Sequence, residues 1–197
     1  MPAKNKDLHG SAPDKSPVAL LLIDVINDME FDDGDKLLAN ALPAARKIAV
    51  LKRKARKAGI PVIYVNDNFG KWRSDFNKLV EHCLKSGVRG EPVVKLLKPN
   101  KNDYFVLKPK HSGFFDTSLE ILLKYLEVKT LIMAGFAGNI CVLFTANDAY
   151  MYDFKLFVPS DCCASNEVLD NDYALKQIEG LLKADIRPSD EIDLTKF

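Results

Sequence analysis

The sequence predicts an α/β protein of three α/β/α layers, doubly wound around a mainly parallel sheet of five or six strands. Short apolar runs such as PVALLLID, IPVIYVND and TLIMAG read as strands buried on both faces, the pattern of parallel sheets. Helix-period segments separate them to the end of the chain, which calls for right-handed crossovers. The 197 residues, 47% of them apolar, are enough for one substantial core.

Taken in order, residues 1–16 are polar and predict a flexible tail without the apolar core of a signal peptide, leaving residues 17–197 as a single domain. The first strand ends at Asp24. KLLANALPAARKIAVLKRKARKAG has apolar positions at helical spacing, cations before the terminal Gly59, and Pro43 expected in its first turn. IPVIYVND is the second strand, ending at Asn66 and Asp67. NFGKWRSDFNKLVEHCLKSGVRGEP is the least regular region, an insertion of the kind that often forms part of a pocket. A strand through Phe105–Leu107 ends at Lys108, SLEILLKYLE is a helix, and TLIMAG is a strand ending at Gly135. A helix starts near Asn139, FKLFVPS is a strand ending at Ser160 and Asp161, and a last helix covers Glu167 to Leu182. Ala184–Ile186 adds a short final strand.

Charged residues make up 28% of the chain but nearly cancel to a net +1, so no global field recruits nucleic acid or an acidic membrane surface. No uncharged apolar run reaches bilayer length. The four cysteines, Cys83, Cys141, Cys162 and Cys163, lack CxxC spacing and read as free thiols of a reducing, cytoplasmic setting. A small-molecule or protein partner is the expectation.

In open parallel sheets, ligands bind beyond the carboxyl ends of the strands. Asp24, Lys108 and Cys141 arrive at that edge from distant parts of the sequence. Each alone has an ordinary reading: a turn aspartate, a solvated lysine, a cysteine filling the core. Together they supply a nucleophile, a cation expected to lower the thiol pKa, and a carboxylate able to carry the proton. A helix N-terminus at Cys141 would add to that lowering and offer N–H groups to an oxyanion.

The motifs LLLIDVINDMEF, VLKPKHSGFFDTSLEILL, MAGFAGNICVLFTANDAY and VPSDCCAS resemble, in type and order, the isochorismatase-like cysteine hydrolases. That family includes nicotinamidases, N-carbamoylsarcosine amidohydrolases and ureidoacrylate amidohydrolases. The resemblance implies the isochorismatase-like hydrolase fold, with Asp24 as general base, Lys108 as cationic partner and Cys141 as nucleophile. It also implies a cis peptide between Phe136 and Ala137, with the Ala137 and Cys141 backbone N–H groups as oxyanion hole. Phe69, Trp72, Arg73, His111, Phe114, Phe136 and Asn139 are the candidate pocket, and Lys71 or Arg73 is positioned by sequence to hold a substrate carboxylate.

The chain departs from the family pattern at Ile26, where glutamine is usual, at Gly113, where alanine is usual, and at Asn147, where arginine is usual. The metal-binding members carry Asp-x-His after the second strand. Here that place reads Asp67-Asn68-Phe69 and the histidines are His9, His82 and His111, so no metal or other cofactor is expected. Lys110 competes with Lys108 for the cationic role, and Pro109, which holds the residue before it extended, favours Lys108. The acidic stretch DVINDMEFDDG after the first strand would repel a nucleotide phosphate, which argues against a flavodoxin-like binder. The predicted activity is cleavage of a small amide, carbamoyl or ureido C–N bond through a thioester on Cys141, in a homo-oligomer as relatives commonly form. The alternative is an idle scaffold that binds a small ligand or partner protein.

Overall fold

A computed structural model describes residues 15–73, 75–85 and 87–197. Most of the predicted tail, including His9, lies outside the described residues. At its end, the Ser16 N–H donates to the Leu126 carbonyl at 2.9 Å and Lys15 pairs with Glu127.

The elements run β1 (Val18–Ile23), α1 (Gly34–Lys57), β2 (Val62–Asp67), α2 (Phe76–Cys83), α3 (Glu91–Leu97), β3 (Tyr104–Lys108) and α4 (Leu119–Tyr125). β4 (Thr130–Phe136), a π-helical turn (Gly138–Val142), α5 (Leu143–Met151), β5 (Lys155–Phe157), β6 (Cys163–Ala164) and α6 (Val168–Gly180) follow. All pairings are parallel and the order is β3-β2-β1-β4-β5, with β6 beside the end of β4. β1 therefore lies at the centre, paired with β2 on one side and β4 on the other. That is where the winding reverses and where doubly wound sheets open a crevice.

The unbroken apolar runs have a direct cause. In β1, Val18, Leu20 and Leu22 point into one core, and Ala19, Leu21 and Ile23 into the other. α1 and α3 cover the first face through residues such as Leu37, Ile48, Val93 and Leu97. α4, α5 and α6 cover the second through Leu119, Leu123, Ala146, Ala149, Leu175 and Ile178. No helix among the described residues is long and apolar enough to cross a membrane.

Three expectations about elements are corrected. Pro43 lies inside α1, well past its first turn, because the helix starts at Gly34, after Asp33 in a left-handed conformation with φ 61°. The proline removes the N–H that would serve the carbonyl of Ala39, which sits on the exposed side of the helix. The irregular insertion contains α2 and the start of α3: the Asp75 side chain accepts from the Lys78 N–H at 2.9 Å to cap α2, and Phe76 stacks on Phe105 at 5.0 Å between ring centroids. The final strand shrinks to one bridge, Phe157 to Asp185, and the sixth strand is β6 instead.

Candidate active site

β1 ends at Ile23, and Asp24 turns the chain away with φ 51°, a left-handed value that aspartate tolerates better than most residues. Its N–H still reaches the Val65 carbonyl at 2.9 Å. The loop beyond is held by Asn66, fully buried, whose side chain accepts from the Ile26 N–H at 3.3 Å and donates to the Ile26 carbonyl at 2.7 Å. These bonds use only the Ile26 backbone, so its side chain is free to pack in the core.

Lys108 closes β3 with 0% exposure, and its ammonium has four partners. Nζ lies 2.8 Å from Asp24 Oδ2, 3.5 Å from Asp67 Oδ2, 3.1 Å from the Lys110 carbonyl and 3.5 Å from Cys141 Sγ. The second oxygen of Asp24 accepts from the Asp67 N–H at 2.6 Å. The residues predicted from three strand ends thus meet around one buried cation. Lys110 joins them through its backbone carbonyl, while its own side chain is exposed.

Cys141 sits in the π-helical turn ahead of α5, not in the first turn of an α-helix. Two ties fix that turn. Thr145 Oγ1 donates to the Cys141 carbonyl at 2.6 Å and accepts from the Gly113 N–H at 3.0 Å, joining the cysteine to the loop after Lys108. On the other side the Asn139 N–H donates to Ser165 Oγ at 3.1 Å, and a Cβ on Gly138 would fall 2.0 Å from Asn171 Oδ1. Gly113 is equally constrained: a Cβ there would lie 2.6 Å from Val65 Cγ1, which accounts for glycine in place of alanine. Asn147 donates to the Leu143 carbonyl at 2.8 Å on the exposed face of α5, so this departure leaves the buried cluster untouched.

The electrostatics correct one expectation. The Cys141 thiol pKa is pushed up, not down, because burial and the Asp24 carboxylate outweigh Lys108. Burial also raises the Asp24 pKa, with Lys108 and the bond from Cys141 pulling the other way. Burial alone would lower the Lys108 pKa, but Asp24, Cys141 and Asp67 together carry it above its ordinary value. The raised thiol pKa leaves the sulfur neutral at rest, next to the Lys108–Asp24 contact.

The predicted pocket residues scatter. Trp72 alone of them lines the large cleft of about 670 Å³, whose walls are Asn68, Gly70, Lys71, Trp72, Leu107, Pro109, Lys110, Phe115 and Asp116. Phe69, Arg73 and His111 are exposed outside it, with the His111 ring 5.4 Å from that of Phe144. Phe114 and Phe136 are buried, and Phe114 stacks against Tyr152 at 5.2 Å. Asn139 takes part through its backbone. The Phe136–Ala137 peptide is cis.

The place of the family's metal ligands does not suit a metal here. Asp67 is engaged with Lys108 and accepts from the Phe69 N–H at 2.6 Å, and His82 pairs with Asp28 at 2.8 Å on α2. Among the described residues, no group of three histidine, cysteine or acidic side chains is placed to hold a metal ion. Asp161 accepts from the Ser189 N–H and hydroxyl at 2.8 and 2.9 Å, a structural tie to the C-terminal segment. Sequence reading missed Asp67, Thr145 and the Asn66 clamp. Asp67 had a signal, its place at a strand end, whereas the other two act only through partners distant in sequence.

A family model described as Isochorismatase domain matches residues 18–187. The isochorismatase family protein YaaI of Bacillus subtilis (strain 168) is 42% identical over 178 residues, 90% of this chain and 97% of its own length. Ureidoacrylate amidohydrolase RutB of Yersinia enterocolitica is 28% identical over 164 residues, 71% of each chain. The crystal structure of N-carbamoylsarcosine amidase from Thermoplasma acidophilum shares the fold, with a TM-score of 0.68 at 23% identity over 90% of this chain and 99% of that one.

Proposed function

The chain belongs to the isochorismatase family, and from that premise we propose that it is a cysteine hydrolase cleaving a C–N bond of a small amide, carbamoyl or ureido compound. One observation carries the reading: the Lys108 ammonium, shut off from solvent, touches both the Asp24 carboxylate at 2.8 Å and the Cys141 sulfur at 3.5 Å.

A thiol with a raised pKa is not a standing thiolate, so the nucleophile is made during attack. Asp24 takes the thiol proton as sulfur bonds to the substrate carbonyl carbon. Burial makes Asp24 a stronger base than an exposed carboxylate, and Lys108 keeps it ionised before the transfer. The carbonyl oxygen gathers negative charge, received by the Ala137 and Cys141 N–H groups. The C–N bond then breaks, Asp24 returns its proton to the leaving ammonia or amine, and a thioester remains. Water attacks the thioester as Asp24 takes its proton; the C–S bond breaks and the proton returns to sulfur. No step in this cycle requires a metal.

Cys141→Ala should reduce ammonia release from amides and ureido acids by roughly 10³-fold or more, with the urea unfolding midpoint unchanged. Undiminished turnover in that variant would overturn Cys141 as the nucleophile, and no ammonia from a broad panel with the native protein would leave an idle binding scaffold. Iodoacetamide should label Cys141 first, because it is half-buried while Cys83, Cys162 and Cys163 are buried. Four free thiols suit the cytoplasm, and exposed apolar side chains on α5 and α6 favour a homo-oligomer.

A further inference from the structure

A chain of three hydrogen-bonding groups reaches the turn that bears Cys141 from the connection between β6 and α6. The Asn139 N–H donates to Ser165 Oγ at 3.1 Å, and the Ser165 hydroxyl donates to Asn171 Oδ1 at 3.3 Å. Ser165 and Asn171 are 1% and 8% exposed, so water does not replace either bond. Asn171 also sets the residue before Asn139, because the Gly138 backbone lies directly against its amide.

The far ends of this chain are fixed. Asn171 stands in the first turn of α6, and Ser165 follows β6 directly. The Ser165 and Asn166 carbonyls accept from Asn40 Nδ2 on α1 at 2.9 and 3.0 Å, and Asn166 Nδ2 donates to the Asp33 carbonyl at 3.0 Å, where α1 begins. The serine hydroxyl is thus held by two helices and a strand before it meets the turn.

Its point of contact gives it a role. Ala137 and Cys141, whose N–H groups receive the carbonyl oxygen in the mechanism above, lie two residues before and two residues after Asn139. The Ile140 and Val142 N–H groups donate back to the Ala137 carbonyl at 3.1 Å each, whereas the Asn139 N–H donates out of the turn to Ser165. The serine therefore pins the midpoint between the two oxyanion donors.

We infer that Ser165 is a positioning residue for the oxyanion site: backed by Asn171, its hydroxyl holds Asn139 so that the Ala137 and Cys141 N–H groups converge on one oxygen. The inference rests on the hydrolase reading above and concerns its oxyanion donors, not the contacts among Asp24, Lys108 and Cys141. Without the hydroxyl, the Asn139 N–H and Asn171 Oδ1 each lose a partner, and the turn shifts to replace it. Where donors must converge, a displacement of about 1 Å can cost about a hundred-fold.

Two reactions of the same sulfur test this. Acetaldehyde, isotope-labelled at its carbonyl carbon, adds to Cys141 as a thiohemiacetal: the C–S bond forms, the carbonyl π bond breaks, and the thiol proton passes to the oxygen in the oxyanion site. Iodoacetamide alkylates the sulfur at a saturated carbon, releasing iodide and the thiol proton, and places no charge on a carbonyl oxygen. NMR should show the thiohemiacetal in the native protein and not in Cys141→Ala. Ser165→Ala should weaken this adduct about ten-fold and change the iodoacetamide rate at Cys141 by less than about two-fold. Asn171→Ala keeps the hydroxyl but removes its acceptor; it should weaken the adduct at least about three-fold, and it carries the test if Ser165→Ala does not fold. No adduct in the native protein, an adduct as tight in either alanine variant as in the native protein, or equal losses in the two reactions overturns the inference. A Ser165-dependent adduct in a protein that releases no ammonia from any amide would keep the positioning role and remove the hydrolase reading. Ammonia release whose kcat is untouched by Ser165→Ala would do the reverse.

Discussion

Lys108 carries its charge with no exposure to solvent, and such a charge persists only if its surroundings replace water. Asp24 and Asp67 supply opposite charge, and the Lys110 carbonyl supplies a further acceptor. The two carboxylates divide the cation, so Asp67 controls how much of it Asp24 feels. In Asp67→Asn the ammonium would act on Asp24 undivided and a neighbouring negative charge would be gone, and both changes lower the Asp24 pKa. In the native protein that pKa is raised, so activity should fall as pH drops through a value above the ordinary carboxylate range. The variant should move this acid limb of kcat/KM down by about one pH unit and lower the plateau, because the base is weaker. A limb that stays in place or moves up would show that Asp67 only buttresses the loop. Sequence placed Asp67 at the right edge but could not show that it shares Lys108, since this depends on the β2–β3 register that sets Asp67 opposite Lys108.

Among the elements, the π-helical turn decides where the nucleophile stands, and its anchors come from elsewhere in the chain. Thr145 is the most economical of these, one hydroxyl serving the Cys141 carbonyl and the Gly113 N–H. Thr145→Val keeps the shape and removes both bonds inside a buried region, at a cost of about 1–3 kcal/mol in urea unfolding. Turnover should fall further than that loss of stability explains, since the sulfur is no longer held against Lys108. Thr145→Ser should restore turnover, and a serine variant as inactive as the valine variant would assign the effect to packing of the methyl group. Strands were legible because burial on both faces leaves an unbroken apolar run. The start of α1 was not, because Asp33-Gly34-Asp35 has the composition of a turn. α2 was hidden by its eight residues, too few for periodicity to stand out from the insertion around it.

Across the whole molecule, the two helical layers differ in what they show to solvent. The layer of α4, α5 and α6 exposes Ile121, Phe144, Met151, Leu169 and Tyr173, with Met151 70% and Leu169 67% accessible, whereas large exposed apolar side chains are few on α1 and α3. Ile140 and Phe144 extend this apolar surface to the turn that bears Cys141. The parallel, doubly wound sheet was readable from the alternation of elements, but this asymmetry was not, because it depends on which helix faces are left uncovered. Apolar surface on this scale marks an association site more often than a solvated face. A second copy of the chain is the occupant we expect, as the net charge of +1 sets up little repulsion between copies. Light scattering at micromolar concentration should give a mass at least twice the 22.0 kDa of the chain. Phe144→Glu with Met151→Glu should return it to 22.0 kDa, because a closed symmetric interface buries each changed residue once in every subunit. If the native protein itself runs at 22.0 kDa, this face is a solvated surface and the hydrolase must work as a monomer.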